Sequence, residues 1–335
     1  MTDDRVTAIL DAAAPKPLPL PRTTETLAEQ LRHMAGSGAL DLPLPGTGRT
    51  GPRWAALAAI GRCDLALARV AEGHTDAVAI LAEAGHDPVP GALYGVWAAR
   101  SGGTGATVDA GRLAGTVRFC SGATFLDRAL VAATSADGTG WLFDIDLADP
   151  GVHRDPDSWQ AIGMDASDSL DVHLAGVRVD GAVGGPGWYL NRRGFRLGSG
   201  GVAAVWLGGT AGVLDTVLAL LREAPRVDEH QLAHLGALHA MLRAADALLA
   251  DTARLVDSHP DPDPTIPIRT AKAAIERAAW DTRDRVPRIT GPTPLCRDRR
   301  FAQQLADLEV YVRQHHAERD LAVLGADVLA AERHR

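Results

Sequence analysis

The chain has few cysteines and no long apolar run, and each shortage excludes a class of protein. Only three of its 335 residues are cysteine. They lie far apart without a Cys-x-x-Cys pair, which argues against a disulfide scaffold or a zinc knuckle. No apolar run reaches the roughly 20 residues of a membrane-spanning helix. The most apolar stretch, residues 202–221, contains several glycines and Asp215 and therefore predicts a buried helix.

Positive charge is also in short supply, since 34 Lys and Arg face 42 Asp and Glu, a net charge of -8. An acidic chain binds nucleic acid and anionic membranes poorly, so we expect neither as a partner. The first ten residues contain two acids and no apolar core, so no signal peptide is expected. Scattered cysteines suit a reducing compartment, and we expect a cytoplasmic protein.

Three regions of different pattern follow one another along the chain. Residues 1–22 are rich in proline and predict an extended arm, and apolar residues at helical spacing predict helices over 23–86. Between 87 and 187, alternation with period two predicts strands around a turn at 135–138. From 202 onward, apolar stripes predict four helices packed as an antiparallel bundle. The predicted strands lie at 116–119, 129–132, 141–145 and 169–179.

This order predicts an α+β protein with three domains. They are an N-terminal helical domain with the proline-rich arm over residues 1–90, a central antiparallel β domain over 91–187 and a C-terminal helical bundle over 188–335. No long helices alternate with the predicted strands, which disfavours a βαβ nucleotide-binding fold.

Generic catalytic motifs are mostly missing. The glycine-rich loop at 101–105 lacks the Gly-Lys-Ser/Thr of a phosphate-binding loop, and no Gly-x-Ser-x-Gly occurs. His230 and His234 have metal-ligand spacing, but residue 231 is Gln where a zinc protease has Glu, so no metal site is expected. The pair His315-His316 continues the apolar stripe of the last long helix, so one ring is expected to point inward. Such a histidine is either a core residue or a catalyst.

The order of the regions, together with several short strings, resembles the acyl-CoA dehydrogenase family. No single string is specific, and the resemblance rests on their order and spacing over nearly the whole chain. The strings are Gly-Thr-Val-Arg-Phe-Cys-Ser-Gly-Ala at 115–123, a Trp…Gly-Met…Ser segment at 159–169, Gly-Pro-Gly-Trp at 185–188, Ala-Lys-Ala-Ala at 271–274 and Arg-Ile-Thr-Gly at 288–291.

The resemblance implies a fold with a helical domain, a β domain and a four-helix bundle, assembled as a homodimer or homotetramer. It implies an oxidoreductase that acts on a small acyl thioester with FAD, held between the β domain and the bundle with help from a neighbouring subunit. An aromatic side chain can cover the isoalloxazine ring, and a hydroxyl can hydrogen-bond its N5 and O4 edge. The residues that the resemblance assigns to the cofactor are Phe119, Cys120, Ser121, Thr104, Trp159, Arg226 and Arg288.

Two departures from the family pattern affect the expected chemistry. Arg226 is not followed by the family's Phe-Gly, which puts the adenosine-diphosphate half of the FAD site in question. The family's Glu base, which removes the proton α to the thioester, aligns near His315, and Ala306 replaces the Arg of an Arg-Asp pair. The candidates for the base are therefore His315, His316 and Glu318.

Three functions stay open from the sequence. The first is dehydrogenation of an acyl thioester, with one of these three residues as base. The second is the monooxygenase branch of the same fold, which binds reduced flavin and in which a His hydrogen-bonds the activated oxygen. The third is a non-catalytic subunit that has lost the FAD site. A shared fold cannot choose among them.

Overall fold

The computed structural model describes residues 8–12, 15–100, 103–258 and 263–333. Three helices open the chain, α1 (Thr24–Gly36), α2 (Thr50–Cys63) and α3 (Leu65–Glu83). A seven-stranded sheet follows, with β1 (Tyr94–Trp97), β2 (Gly105–Asp109), β3 (Arg112–Cys120), β4 (Arg128–Ser135), β5 (Gly140–Asp146), β6 (Val152–Asp155) and β7 (Leu170–Arg178). The helices after the sheet are α4 (Trp188–Asn191), α5 (Arg193–Glu223), α6 (Glu229–Ser258), α7 (Thr265–Thr290), α8 (Pro292–Arg297), α9 (Arg299–Tyr311) and α10 (Glu318–Arg333).

The predicted strands and the fold class are confirmed, but the sheet is mixed rather than purely antiparallel. β1 and β2 both pair with β4 in parallel, one after the other along the same edge. The other pairings, β2–β3, β3–β7, β4–β5 and β6–β7, are antiparallel. Alternation of side chains shows which face of a strand is buried and says nothing about the direction of its neighbour, so the sequence could not reveal the parallel pairs.

The predicted arm is extended over residues 15–22, as expected, and it lies against the rest of the protein. The prediction is wrong at Ile9–Asp11, which form a 3₁₀ helix because Ile9 is buried and its N–H donates to Asp246 Oδ1 at 2.8 Å. Leu18 is buried, and its carbonyl oxygen accepts a hydrogen bond from Arg300 Nη2 at 2.8 Å. Residues 1–7 and 13–14 of the predicted arm lie outside the described residues.

Helix α5 packs on α2 with the two backbones in close contact. A Cβ atom at Gly208 would clash with the carbonyl oxygen of Ala58, and one at Gly212 with that of Arg62. A Cβ atom at Gly61 of α2 would in turn clash with the carbonyl oxygen of Val205. Glycine is required at these positions for packing, and the N-terminal helices share one core with the bundle.

The prediction of a buried helix at 202–221 is confirmed within α5. By length and composition α5 also meets the requirements of a membrane-spanning helix, the one helix among the described residues that does so. Of its most apolar window, 67% is buried inside the protein, which is typical of a core helix.

Candidate functional site

Strand β3 ends in an irregularity that turns Phe119 out of the sheet. The register with β7 shifts between Val117 and Cys120. Phe119 has φ 58° and is 51% exposed, although bulky residues rarely adopt positive φ. Its ring meets that of Trp159 edge to face, with centroids 6.5 Å apart. An exposed aromatic side chain in a strained conformation is a typical feature of a binding site.

Cys120 points the opposite way, into the core. Its Sγ donates to the carbonyl oxygen of Val117 at 3.3 Å, and burial raises the pKa of the thiol. A buried, protonated thiol is inert, so Cys120 supports the strand end rather than reacting.

Besides Phe119, four non-glycine residues among those described have positive φ. Met164 (φ 60°) and Asp168 (φ 49°) flank the short 3₁₀ helix Asp165–Ser167, and Ala317 (φ 43°) follows the histidine pair. Ala110 (φ 45°), in the turn between β2 and β3, is the remaining non-glycine residue with positive φ in the described ranges. Strained conformations persist where the surrounding structure holds them, most often at functional sites.

Hydrogen bonds join the turn after β3 to the segment 159–169. Gly122 N donates to the carbonyl oxygen of Ser167 at 2.8 Å. The backbone N and the hydroxyl of Thr124 both donate to Asp168 Oδ2, at 2.7 and 2.6 Å. Trp159 Nε1 donates to the carbonyl oxygen of Met164 at 3.1 Å. Phe119, Ser121 and Trp159 are therefore held in one rigid unit.

Asp307 of α9 fixes this unit to the bundle. Met164 N donates to Asp307 Oδ1 at 2.6 Å, and a Cβ atom at Gly163 would clash with the carbonyl oxygen of Ala306. Arg22 of the arm donates to Asp307 Oδ2 at 2.6 Å, and it also pairs with Asp64 and Asp165. Burial raises the pKa of Asp307, and Arg22 opposes that shift. Arg22 is thus the cation that pairs with Asp307, a contact that the sequence alone did not reveal.

Ser121 begins a chain of three buried hydroxyls, which we call the serine chain. Its Oγ lies 2.9 Å from Ser169 Oγ, which lies 2.9 Å from Ser167 Oγ. Ser167 Oγ donates to the carbonyl oxygen of Met164 at 2.7 Å. At the other end, Arg69 Nε of α3 donates to Ser121 Oγ at 3.1 Å. The chain thus links α3, the end of β3 and the 3₁₀ helix.

Arg69 also holds a buried carboxylate. Its Nη1 lies 2.6 Å from Glu72 Oε2. Burial and the neighbouring Asp76, opposed by Arg69 and Arg53, raise the pKa of Glu72 to about 7. A carboxyl group with this pKa can gain or lose a proton near neutral pH. We call the serine chain with Arg69 and Glu72 the Ser121 cluster.

Sequence reasoning found Ser121 but missed Arg69 and Glu72. A signal was present, because these two charged residues stand three positions apart in the otherwise apolar stretch 65–72 at the start of helix α3. Charged residues are almost never fully buried unless they are paired, so two of them in a core helix indicate a pair.

His315 is the member of the histidine pair that points inward, as expected, and it is only 6% exposed. It packs edge to face on Trp206 of α5, with ring centroids 6.5 Å apart. Its ring nitrogens lie 4.0 Å from the carboxylates of Glu276 and Asp320. Burial lowers the pKa of His315, despite these two carboxylates. Near pH 7 the ring is therefore neutral.

Lys272 also belongs to this group of side chains. We call the group the His315 cluster, and its members are His315, Trp206, Lys272, Glu276 and Asp320. The Lys272 ammonium lies 5.2 Å from the Trp206 ring centroid, and burial lowers its pKa.

Tyr311 lies between the two clusters. Its ring contacts Trp206, with centroids 6.2 Å apart, and its hydroxyl lies beside Arg69 and Glu72.

The remaining candidates lie outside both clusters. His316 and Glu318 are exposed around the start of α10, and Thr104 is half-buried just before β2. Arg226 is exposed between α5 and α6, and Arg288 near the end of α7 pairs with Asp284 at 3.0 Å. Ser101 and Gly102 of the glycine-rich loop lie outside the described residues. The roles assigned to all these residues stay predictions.

Comparison with known proteins identifies the fold. Residues 185–312 match the family model described as acyl-CoA dehydrogenase, C-terminal domain. A search of curated proteins finds no match. Among solved structures, the dibenzothiophene monooxygenase TdsC from Paenibacillus sp. A11-2, in complex with FMN and indole, is 20% identical with a TM-score of 0.73, and the alignment covers 93% of this chain and 96% of that one.

Two further solved structures are similar over nearly their whole length. A nitrososynthase from Micromonospora carbonacea var. africana is 17% identical with a TM-score of 0.76, covering 92% of this chain and 93% of that one. The methanesulfinate monooxygenase MsuC from Pseudomonas fluorescens is 19% identical with a TM-score of 0.71, covering 94% and 97%. At these identities the similarity shows the fold.

Proposed function

Because the chain has the acyl-CoA dehydrogenase fold, with residues 185–312 in that family's C-terminal domain, we propose that it is a flavin-dependent monooxygenase. It would use a reduced flavin and oxygen to oxidise a small molecule. The observation that carries this proposal is Phe119, an exposed aromatic side chain held at positive φ directly before the buried hydroxyl of Ser121.

The donors and surfaces at this place fit an isoalloxazine ring. Phe119 and Trp159 form an aromatic corner that can cover the ring, and the Ser121 hydroxyl can hydrogen-bond its polar edge. When bound, a reduced flavin supplies two electrons to oxygen. The protein itself would orient the ring and would exclude water through the buried serine chain. Glu72, which is close by, would hold a proton.

Two observations favour oxygenation over acyl thioester oxidation. The family's Glu base aligns near His315, and the ring of His315 packs against Trp206 in the bundle. TdsC and MsuC, which share the fold, are both described as monooxygenases.

We propose FMN rather than the FAD of the sequence-based expectation. Arg226 and Arg288, the residues expected to reach the outer half of FAD, are both exposed and lie outside the two clusters, and TdsC was solved with FMN. The homo-oligomer and the cytoplasmic location stay predictions.

The test is the affinity for FMN, measured anaerobically with oxidised and with photoreduced flavin, in the wild type and in Phe119→Gly. Glycine adopts positive φ without strain, so the variant should keep or gain stability. Loss of aromatic contact should weaken flavin binding roughly tenfold, since such contacts contribute about 1 kcal/mol or more. The matched control is Ala110→Gly, which relieves the same strain at φ 45° in a distant turn and should leave flavin affinity unchanged.

Two outcomes would contradict the proposal. If Phe119→Gly binds FMN as tightly as the wild type does, the ring does not lie at Phe119. If the wild type binds neither redox form, the fold serves as a non-catalytic subunit.

A second candidate, acyl thioester oxidation, is favoured by one observation. Glu72 is a buried carboxylate whose raised pKa suits a general base. This function predicts that butyryl-CoA or octanoyl-CoA bleaches flavin bound to the protein under anaerobic conditions, and that Glu72→Gln abolishes the bleaching. Flavin that stays oxidised with both thioesters would exclude these substrates.

A further inference from the structure

A single guanidinium, that of Arg22 in the arm, bonds to three carboxylates. Its Nη1 donates to Asp64 Oδ2 at 2.9 Å and to Asp307 Oδ2 at 2.6 Å. Its Nη2 donates to Asp307 Oδ1 at 3.0 Å and also to Asp165 Oδ1. Among the described residues, no other cation lies within 4.0 Å of these carboxylates. One positive charge therefore faces three negative charges.

The three carboxylates belong to three different elements around the proposed site. Asp64 precedes α3, and its Oδ1 accepts from Leu67 N at 2.9 Å. Asp165 opens the 3₁₀ helix within the segment 159–169, and Asp307 lies in α9. Arg22 therefore joins α3, this segment and the bundle at one point.

Met164 connects these carboxylates to the ring of Trp159. Its backbone N donates to Asp307 Oδ1, the same oxygen that accepts from Arg22 Nη2. Its carbonyl oxygen accepts from Trp159 Nε1 at 3.1 Å. Met164 has φ 60°, a conformation that persists only where its surroundings hold it. The place of the indole therefore depends on Asp307.

We propose that Arg22 is a positioning residue of the flavin site, and that it acts on the ring of Trp159 through Asp165 and Asp307. The inference rests on the proposed function, in which Phe119 and Trp159 cover the isoalloxazine ring. It assigns a role at that site to the N-terminal arm, which does not itself contact either aromatic ring in the described structure.

The physical reason is repulsion between carboxylates. Without Arg22, Asp165 and Asp307 would face each other with no cation between them. The side chain of Asp165 is 37% exposed and can turn toward water, whereas that of Asp307 is only 4% exposed. Because Asp165 Oδ1 also accepts from Ala166 N at 2.8 Å, its movement would draw the 3₁₀ helix away from α9. Trp159 would then lose its fixed position.

Hydrogen exchange of backbone amides, measured without flavin, tests the effect on the segment itself. In Arg22→Met, the amides of residues 159–169 should exchange roughly tenfold faster or more, because local opening no longer breaks the contacts of the guanidinium. The matched control is Arg62→Met. Arg62 pairs with Asp215 at 2.5 and 2.7 Å but bonds to no residue of 159–169, so exchange there should be unchanged.

A double-mutant cycle on the affinity for reduced FMN tests whether the effect passes through Trp159. Trp159→Ala should weaken binding roughly tenfold, and Arg22→Met roughly three- to tenfold. The double variant should bind within about twofold of Trp159→Ala alone, because the ring that Arg22 positions is then absent. Losses that multiply in the double variant would overturn the inference, since Arg22 would act independently of Trp159.

Arg22→Lys provides a second variant should Arg22→Met fold poorly. It keeps a cation but not the planar fork that reaches three carboxylates, so it should show smaller changes in the same direction. Unchanged exchange at 159–169, or unchanged FMN affinity, in both Arg22 variants would overturn the inference and leave the proposed function standing. Failure of the wild type to bind FMN would instead overturn the proposed function, whatever the exchange shows.

Discussion

The Ser121 cluster and the His315 cluster are both buried and polar, and Tyr311 separates them, yet their hydrogen bonding differs. In the Ser121 cluster the hydroxyls, Arg69 and Glu72 bond to one another at 2.6–3.1 Å. In the His315 cluster, His315 Nδ1 and Trp206 Nε1 have no hydrogen-bond partner within the described part of the chain.

The difference shows which cluster can act on a ligand with defined geometry. A connected polar network holds its members in one arrangement, because each group loses a partner if it moves. The Ser121 cluster also adjoins an exposed aromatic residue, whereas the His315 cluster is enclosed by helices of the bundle. We therefore propose that a ligand binds beside the Ser121 cluster and not beside the His315 cluster.

The largest difference in stability between the two clusters is expected when one cation is removed from each of them. Arg69→Met leaves Glu72 without its partner and should lower the free energy of unfolding by about 3–5 kcal/mol. Lys272→Met removes a buried cation that has no ion pair within 4.0 Å among the described residues, so it should be nearly neutral or stabilising. Urea unfolding of both variants measures this. Equal losses of unfolding free energy in the two variants would mean that ion pairing stabilises both cations to the same extent.

The free energy of unfolding should depend on pH through the ionisation of Glu72. The folded pKa is about 7, above the ordinary value of 4.5, so the folded protein binds more protons than the unfolded chain between these values. The free energy of unfolding of the wild type should therefore fall as the pH rises through this window.

Glu72→Gln cannot ionise and should lack this slope. The free energy of unfolding of the variant, relative to that of the wild type, should therefore rise by about 1–3 kcal/mol as the pH increases from about 5 to about 8. Urea unfolding at each pH measures this difference. Parallel pH profiles would show that Asp76, Arg53, Arg69 and Tyr311, which surround Glu72, leave its pKa near the ordinary value.

The smallest effect is expected at the histidines. Burial lowers the pKa of His315, so the unfolded chain binds the proton more readily and the wild type should lose stability as the pH falls below about 6.5. His315→Gln should reduce that loss by less than about 1 kcal/mol, and the exposed control His316→Gln should not change it. If His315 is instead the base, oxygen uptake with reduced FMN or flavin bleaching by acyl-CoA should fall about a hundredfold in His315→Gln alone.

Much of the fold was predictable, because the elements follow local rules. Alternation located the strands, glycines and apolar residues marked α5, and the inward histidine followed from the stripe of α9. Phe119 and Ser121 could be named because they lie in one continuous string.

Arg22, Arg69 and Glu72 could not be assigned, since each acts through partners on other elements. The direction of β1 and β2 against β4 was hidden for the same reason. The sequence also could not reveal that the backbone strain would concentrate at Phe119, Met164 and Asp168, because positive φ in these residues is imposed by tertiary packing.

The bond between Arg22 and Asp307 closes a separation of 285 residues, nearly the full length of the chain. During synthesis at about 5–20 residues per second, Arg22 would wait roughly 14–57 s for its partner to be made. Until then Met164 has no carboxylate to hold it, and the segment that carries Trp159 is not fixed to the bundle. The segment that carries Trp159 is therefore fixed to the bundle late, after the sheet and the first helices have had time to form.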